Sequence, residues 1–311
     1  MESKAVSDTN MLIVGLYMKK ILLLCFFVLL SSGVQAETAE VTESGVDKPI
    51  AKIDDPGWQD IHANSQMSEH AKSPEAMGLV IAMQIEKRDA GWQDMSATLQ
   101  MILRNAQGQE SVRDNRMKSL EVEDDGDKTL IVFDSPQDIK GTAFLTYSHS
   151  LDADEQWMYL PALKRVKRIS SANKSGPFLG SEFAYEDIAS QEVDKYRHVY
   201  LRDDVLEGRK VFVKERYPEY KHSGYTRQIV WVDQLMYQPL KIEFYDRKNS
   251  LLKTLTYQDY NQYLQKFWRP SLMVMVNHQT GKSTRLSWDA YEFQIGLSQR
   301  DFDSNSLKRA R

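Results

Sequence analysis

Apolar and polar residues alternate one by one in many short stretches of this chain, and this pattern limits the possible folds more than any other feature. Such alternation places apolar side chains on one face of a β-strand and polar ones on the other. Turn-forming groups, such as Asp125-Gly126 and Glu207-Gly208, separate the stretches. We predict a mainly β protein, an antiparallel meander that closes or half-closes into a barrel. The candidate strands are residues 98–104, Thr129–Phe133, Gly141–Tyr147, Trp157–Leu160, Val211–Lys214, Gln228–Val232, Ile242–Tyr245, Leu272–Val276 and residues 285–290.

One segment has the spacing of a helix instead. Ser73 is a suitable N-cap, Pro74 fits the first helical position, and apolar residues recur at helical spacing as far as Ile85. The helix is predicted to end at residues 89–91. Since one helix cannot cover a sheet of this size, part of the apolar face of the sheet is expected to meet water or a ligand.

The first 36 residues have the layout of a secretory signal peptide. Lys19 and Lys20 precede the apolar run Ile21–Leu30, and Val34 and Ala36 provide the small residues of a cleavage site. The run has ten residues, whereas a membrane-spanning helix needs about 20. We therefore predict cleavage after Ala36 and a periplasmic protein; an uncleaved membrane anchor is the alternative.

Composition excludes several classes of function. The one cysteine, Cys25, lies inside the predicted signal peptide, so the processed chain has neither disulfides nor a cysteine nucleophile. The net charge of −4 argues against nucleic-acid binding. Motifs of serine hydrolases, P-loop proteins, zinc proteases and dinucleotide-binding proteins are absent, and the six histidines lack metal-ligand spacing. The prediction is a protein that is not an enzyme and has no cofactor and no metal site.

Residues 37–72 are polar, acidic and without periodicity, so we predict a flexible extension in front of one domain over residues 73–311.

A sequence motif occurs once on each side of this boundary. The segment Asp55–Met67, which contains Gly-Trp-Gln-Asp, recurs as Asp89–Met101. Two copies are too few for a solenoid, and both a local duplication and a functional role remain open.

Three stretches contain distinctive sequence motifs: Asp138–Leu145, Asp154–Ile169 and Gly176–Ile188. Their Trp-x-Tyr-Leu-Pro and Gly-Ser-x-Phe-x-Tyr-x-Asp patterns, together with Trp231–Lys253, resemble the outer-membrane lipoprotein-sorting protein family of LolA/LolB-like periplasmic carriers. The branch that the chain resembles is associated with exporters of the resistance-nodulation-division (RND) type. The resemblance covers roughly residues 75–308.

The resemblance implies a half-open, strongly curved antiparallel β-barrel with a helical lid, whose apolar cavity shields acyl chains. It implies no catalytic residue and no cofactor. The implied partners are lipid or lipoprotein acyl chains, an inner-membrane RND-type exporter and, transiently, a membrane surface. Arg113 and Arg116 are candidates for an arginine that locks the lid. The alternative is an accessory or interaction subunit of an envelope export complex, whose cavity is only packed core.

Two groups of residues are the candidate sites. Residues 178–188 are a candidate lid. The aromatic residues in and before this segment are predicted either to line the cavity or to form ordinary sheet core. A basic turn is predicted either to dock onto anionic head groups or an acidic partner, or to be only a solvated hairpin tip. The aromatic candidates are Phe144, Trp157, Tyr159, Phe178, Phe183 and Tyr185, and the basic candidates are Lys164, Arg165, Lys167 and Arg168.

The signal-peptide assignment predicts that the processed protein begins at Glu37 and is released with the periplasmic fraction without detergent. N-terminal sequencing of that fraction checks both points. A membrane-bound product that still carries Met18 would contradict the assignment.

Overall fold

The computed structural model describes residues 73–123 and 125–309, which form one large sheet with a few helices. The α-helices are α1 (Pro74–Asp89), α2 (Tyr185–Ile188) and α3 (Ser304–Arg309). The strands are β1 (Asp94–Arg104), β2 (Glu110–Leu120), β3 (Lys128–Phe133), β4 (Ala143–Tyr147), β5 (Glu155–Leu160), β6 (Arg165–Ile169), β7 (Tyr196–Leu206), β8 (Arg209–Pro218), β9 (Tyr225–Asp233), β10 (Pro239–Asp246), β11 (Leu251–Tyr263), β12 (Phe267–Asn277) and β13 (Ser283–Phe293).

All 13 strands belong to one antiparallel sheet, in the order β6-β5-β4-β3-β2-β1-β13-β12-β11-β10-β9-β8-β7. Every strand pairs with its neighbour in the chain except at one place, between β6 and β7. The first and last strands, β1 and β13, pair with each other, and β6 and β7 form the two opposite edges. The sheet is therefore not closed, which confirms the prediction of a mainly β, half-open antiparallel fold.

Residues 170–195, which we call the crossing segment, join the two edge strands and must therefore pass over one face of the sheet. We call this face the inner face, and it also carries α1. The main hydrophobic core lies here and includes Leu99, Met101, Phe133, Phe144, Phe178, Phe183, Val230, Ile242, Leu255, Met275 and Leu286. Two smaller clusters cover parts of the opposite, outer face. One is built around Val132, Leu145, Phe302 and Leu307, and the other around Val213 and Trp231.

Helix α1 begins and ends where the sequence indicates. Ser73 Oγ accepts a hydrogen bond from the Ala76 backbone N–H at 3.1 Å, and Pro74 occupies the first turn. The helix buries Ile81 and Ala82 and packs on the edge strand β7. Within the described residues, no helix combines the length and the apolar character that crossing a membrane requires.

Four strands were not among the candidates: β2, β6, β7 and β11. In β2, β7 and β11, polar residues occupy buried positions, as Asn115 and Ser119 do in β2. Strand β6 has no buried residue and is mostly basic, so the sequence lacks the apolar alternation of a strand there. The predicted basic turn is therefore wrong in part. Only Lys164 forms a turn, with φ of 47°, and Arg165–Ile169 is the edge strand β6. Lysine and arginine on an edge strand discourage pairing with another sheet.

Several predictions concern residues outside the described part of the chain. These are the signal peptide with Cys25, the flexible extension and the first copy of the repeated motif. The second copy links α1 to β1, and it buries Trp92 and Asp94. The Asp94 carboxylate accepts a hydrogen bond from the Ile295 backbone N–H at 2.9 Å, so this copy joins the two ends of the described chain.

Gly78 allows α1 to approach β7 closely. A Cβ atom at this position would lie 2.7 Å from the backbone nitrogens of Val199 and Tyr200. These are backbone atoms of a paired strand, so they cannot move aside as a flexible side chain would. The short distance between α1 and β7 thus depends on having glycine, which has no side chain, at position 78.

We predict that Gly78→Ala destabilises the protein by about 1–3 kcal/mol, the usual cost of overpacking, although alanine favours an isolated helix. Urea denaturation measures the free energy of unfolding. Met83→Ala on the exposed side of the same helix is the control, with an expected change within about 0.5 kcal/mol. Equal stability of Gly78→Ala and wild type would contradict the close approach.

Candidate functional site

The crossing segment fills part of the inner face with its own aromatic side chains. Phe178 and Phe183 are almost completely buried. The ring centre of Phe178 lies 4.9 Å from that of Phe144 and 5.7 Å from that of Tyr185, and the Phe178 and Tyr185 rings form a T-shaped, edge-to-face pair. Contacts of this kind stabilise beyond the area they bury. The segment is therefore part of the core.

Buried polar contacts fasten α2 to the sheet. Lys253 Nζ of β11 donates to Asp187 Oδ2 and to the Glu182 backbone carbonyl, both at 2.7 Å. The Glu186 carboxylate accepts hydrogen bonds from the hydroxyl groups of Tyr220 and Ser223, at 2.9 and 2.8 Å. Burial, and secondarily the neighbouring Asp187 charge, raise the pKa of Glu186. Because unpaired buried charges are costly, this network holds the segment in one position.

Arg113 contacts the candidate lid, whereas Arg116 does not. The Nη1 atom of Arg113 donates to the Leu179 backbone carbonyl at 2.6 Å. Arg116, three positions along β2, lies on the outer face, where its Nε donates to Asp134 at 2.8 Å. Successive residues of a strand alternate between faces, so only one of these two arginines can reach the segment.

A second part of the inner face is apolar but only half-buried. Its side chains come from α1 and from β11–β13: Met77, Ile85, Tyr257, Met273, Trp288 and Tyr291. The Trp288 and Tyr291 rings stack with centres 6.0 Å apart, and Trp288 Nε1 donates to Met273 Sδ at 3.2 Å. We call these six residues the half-buried apolar strip. Sequence analysis placed Trp288 in a strand without assigning it to a site, although the alternation around it was a usable signal.

The six aromatic candidates divide between the two faces. Phe144, Phe178, Phe183 and Tyr185 lie together on the inner face. Trp157 and Tyr159 belong to the outer face because the residue between them, Met158, points inward. The Trp157 and Tyr147 rings form an edge-to-face pair with centres 5.0 Å apart, and Tyr159 packs in the cluster with Phe302. The two outer residues do not share a cavity with the other four.

The basic candidates also divide. Lys164 lies in the turn, and in β6 Arg165 and Lys167 pair with inward-facing residues of β5. Arg168 lies on the outer face, where it bonds to Glu155 at 2.6 Å and its guanidinium is 6.0 Å from the Trp157 ring. All four side chains are exposed, but they do not form a single patch.

A cavity of 480 Å³ lies on the outer face, between β1–β3, β13 and the C-terminal residues. Leu130 and Val132 line it, together with charged groups that include Lys118, Glu292 and Arg300. None of the aromatic or basic candidates lines this cavity. The described residues also contain no group of three or more His, Cys, Asp and Glu side chains suited to hold a metal ion.

The fold is shared with proteins of known structure. The crystal structure of an outer membrane lipoprotein-sorting protein domain from Vibrio parahaemolyticus is 60% identical in sequence, with a TM-score of 0.74. The alignment covers 75% of this chain and 99% of that domain. The chain belongs to the outer-membrane lipoprotein-sorting family. The family resemblance predicted from the sequence is thereby confirmed.

Two further solved structures are similar to this chain at lower sequence identity. A DUF1329 family protein from Desulfovibrio piger is 28% identical, with a TM-score of 0.72 over 76% of this chain and 99% of its own. A LolA superfamily protein from Nitrosomonas europaea is 19% identical, with a TM-score of 0.59 over 74% of this chain and 98% of its own; it shows a shared fold. A family model described only as an uncharacterized protein matches residues 125–309. No curated protein sequence matches the chain.

We predict that Arg113→Met loosens the crossing segment, because it leaves the Leu179 carbonyl without its charged donor. A loss of about 1–3 kcal/mol in local stability is typical of such a change. Hydrogen–deuterium exchange of residues 178–188 should become faster. Arg116→Met, on the other face of the same strand, is the matched control and should leave this exchange unchanged. Identical exchange in the two variants would show that Arg113 does not hold the segment.

Proposed function

We propose that this protein is a periplasmic carrier that holds the acyl chain of a lipid or lipoprotein against its inner face. The observation that carries the proposal is the half-buried apolar strip. It consists of large apolar side chains on the face that forms the core, yet α1 and the crossing segment leave these side chains partly uncovered. Membership of the lipoprotein-sorting family supports the same function.

The energetics suit a carrier. Covering apolar surface contributes about 25 cal/mol for each Å² removed from water, and a flexible acyl chain adapts to a strip of mixed aromatic and thioether side chains. Met77 and Met273 suit such a surface because methionine side chains are flexible and polarizable. An incompletely covered strip binds the chain and also allows its release.

The opening between the edge strands β6 and β7 provides an entry route for the acyl chain to the inner face. The sheet is not closed between β6 and β7, so a ligand need not pass through a continuous wall of hydrogen-bonded strands. The crossing segment is fastened by Arg113 and Lys253. Entry beside a fixed segment requires less rearrangement than entry through it.

A second candidate function is that of an accessory or interaction subunit of an envelope export complex. The dense packing of Phe144, Phe178 and Phe183 favours it, since this part of the inner face is already filled by the chain itself. Contact with an inner-membrane RND-type exporter or with a membrane surface belongs to either candidate and stays a prediction.

We predict that Trp288→Ala weakens binding of a fluorescent fatty-acid probe by about 1 kcal/mol, or roughly fivefold, through lost apolar contact. Trp157→Ala is the matched control. It removes the same side chain, also half-buried, from the outer face, and should leave probe affinity unchanged. Fluorescence titration measures both affinities, and native mass spectrometry of the purified protein tests for lipid that is already bound.

The result separates the two candidate functions. Saturable probe binding that depends on Trp288 and not on Trp157 supports the carrier. Absence of both probe binding and co-purified lipid would favour the interaction subunit. Equal losses in the two variants would place the ligand elsewhere than on the strip.

A further inference from the structure

Lys214 is a buried cation without a counter-ion. It lies in β8, faces the inner side of the sheet, and is 3% exposed. Within the described part of the chain, its ammonium group makes neither a hydrogen bond nor an ion pair. The neighbouring His198 Nδ1 is fully enclosed and also unpartnered, whereas Lys214 Nζ is not fully enclosed. The described residues therefore enclose the lysine almost completely without providing a partner for its charge.

The other buried lysines in the described residues show how unusual this is. Lys174 and Lys195 both bond to Asp154, at 3.1 and 2.7 Å, and Lys253 bonds to Asp187 at 2.7 Å. Buried charges are normally paired in this way, because an isolated charge loses its hydration without compensation. The fold therefore provides a carboxylate for each of these three lysines and none for Lys214.

Arg216 adds a second positive charge on the same face. It follows Lys214 by two positions in β8 and is 8% exposed. Its partners are neutral: Gln228 Oε1 at 2.7 Å, Gln191 Oε1 at 3.1 Å, and the Tyr196 ring, 4.5 Å from the guanidinium carbon. Neither cation is thus bonded to a carboxylate in the described structure.

The protonation states in this region reflect the uncompensated charge. Burial, and next the Arg216 charge, lower the pKa of Lys214 to about 7. Burial, and next the Lys214 charge, lower the pKa of His198 to about 3, so this imidazole is neutral. Because His198 Nε2 bonds to the Val193 carbonyl at 3.0 Å, Nδ1 remains as an acceptor. An anion placed here would stabilise the charged form of Lys214.

The two cations lie between α1 and the crossing segment, the two elements that cover the inner face. Lys214 pairs across the sheet with Tyr200, whose backbone lies against Gly78 of α1. Arg216 bonds to Gln191 of the crossing segment. Met77, the strip residue next to Gly78, therefore lies on the side of the strip that is nearest to Lys214, and an acyl chain whose head group is held at Lys214 meets the strip there first.

We propose that Lys214 and Arg216 bind the anionic head group, carboxylate or phosphate, of an amphiphile whose acyl chain lies along the half-buried apolar strip. The proposal rests on the proposed carrier function and makes the cargo more specific. The head group would supply the negative charge that no side chain of the described structure provides, and guanidinium and ammonium groups are both suited to bind oxyanions. The pair selects a cargo that has both a long apolar chain and a negatively charged end.

The experiment compares ligands that share a chain but differ in the head group. Palmitate, lysophosphatidic acid and hexadecanol are titrated against the full processed protein by calorimetry, with acetate and inorganic phosphate as anions without a chain. We expect wild type to bind the two anionic amphiphiles roughly tenfold or more tighter than hexadecanol, as charge-assisted hydrogen bonds allow. The two chain-free anions should bind far more weakly.

Lys214→Met tests the residue itself. Replacing an unpaired buried charge by an apolar side chain of similar size should leave the fold at least as stable, and the preference for anionic ligands should fall to about threefold or less. Lys214→Arg, which keeps the charge, should retain most of the preference. Lys210→Met, an exposed position on the same strand, is the matched control and should behave as wild type.

The outcomes distinguish this proposal from the carrier function. If wild type binds hexadecanol as tightly as palmitate, or if Lys214→Met keeps the full preference, the head-group site is overturned while the carrier function stands. Binding of acetate or phosphate as tight as that of palmitate would also overturn it, in favour of a free-anion site. If no ligand with a chain binds at all, the carrier function itself fails.

Discussion

The connection between β6 and β7 is the constraint on which the rest of the structure depends. These strands are consecutive in the chain but form opposite edges of the sheet, so residues 170–195 must cross the inner face. Crossing residues lose water, and their polar groups need partners. The Lys253–Asp187 ion pair and the Arg113 hydrogen bond to the Leu179 carbonyl provide them. The same crossing buries Phe178 and leaves the half-buried apolar strip beyond the region it covers.

The inner face thus has two regions with different physical character. Under the crossing segment, aromatic rings are packed closely and buried carboxylates have several donors each, so this region stabilises the fold. Near α1 and β11–β13, apolar side chains are half-covered, and on the same face, in β8, Lys214 and Arg216 are not bonded to a carboxylate. A protein selected only for stability would cover the first group and pair the second. The proposed amphiphilic ligand would account for both departures.

The sequence indicated the aromatic core of the inner face, but neither the half-buried apolar strip nor Lys214, and the reason can be stated. Four of the six aromatic candidates lie together on the inner face, because the distinctive stretch around Phe178 is the crossing segment. Trp157 and Tyr159 were assigned to the wrong group because alternation shows that two residues share a face, but not which face that is. Lys214 was not a candidate, since a lysine in a strand is ordinary until its burial and its lack of a partner are known.

The sequence by itself determined the antiparallel β class, the start and end of α1, and membership of the lipoprotein-sorting family. These properties depend on local signals: alternation, capping residues and characteristic motifs. Only the tertiary structure decided which edges stay open, which face the crossing segment covers, and which buried cation remains unpaired. Those properties depend on contacts between residues far apart in the chain, such as Lys253 with Asp187 and β1 with β13, and no local pattern records such contacts.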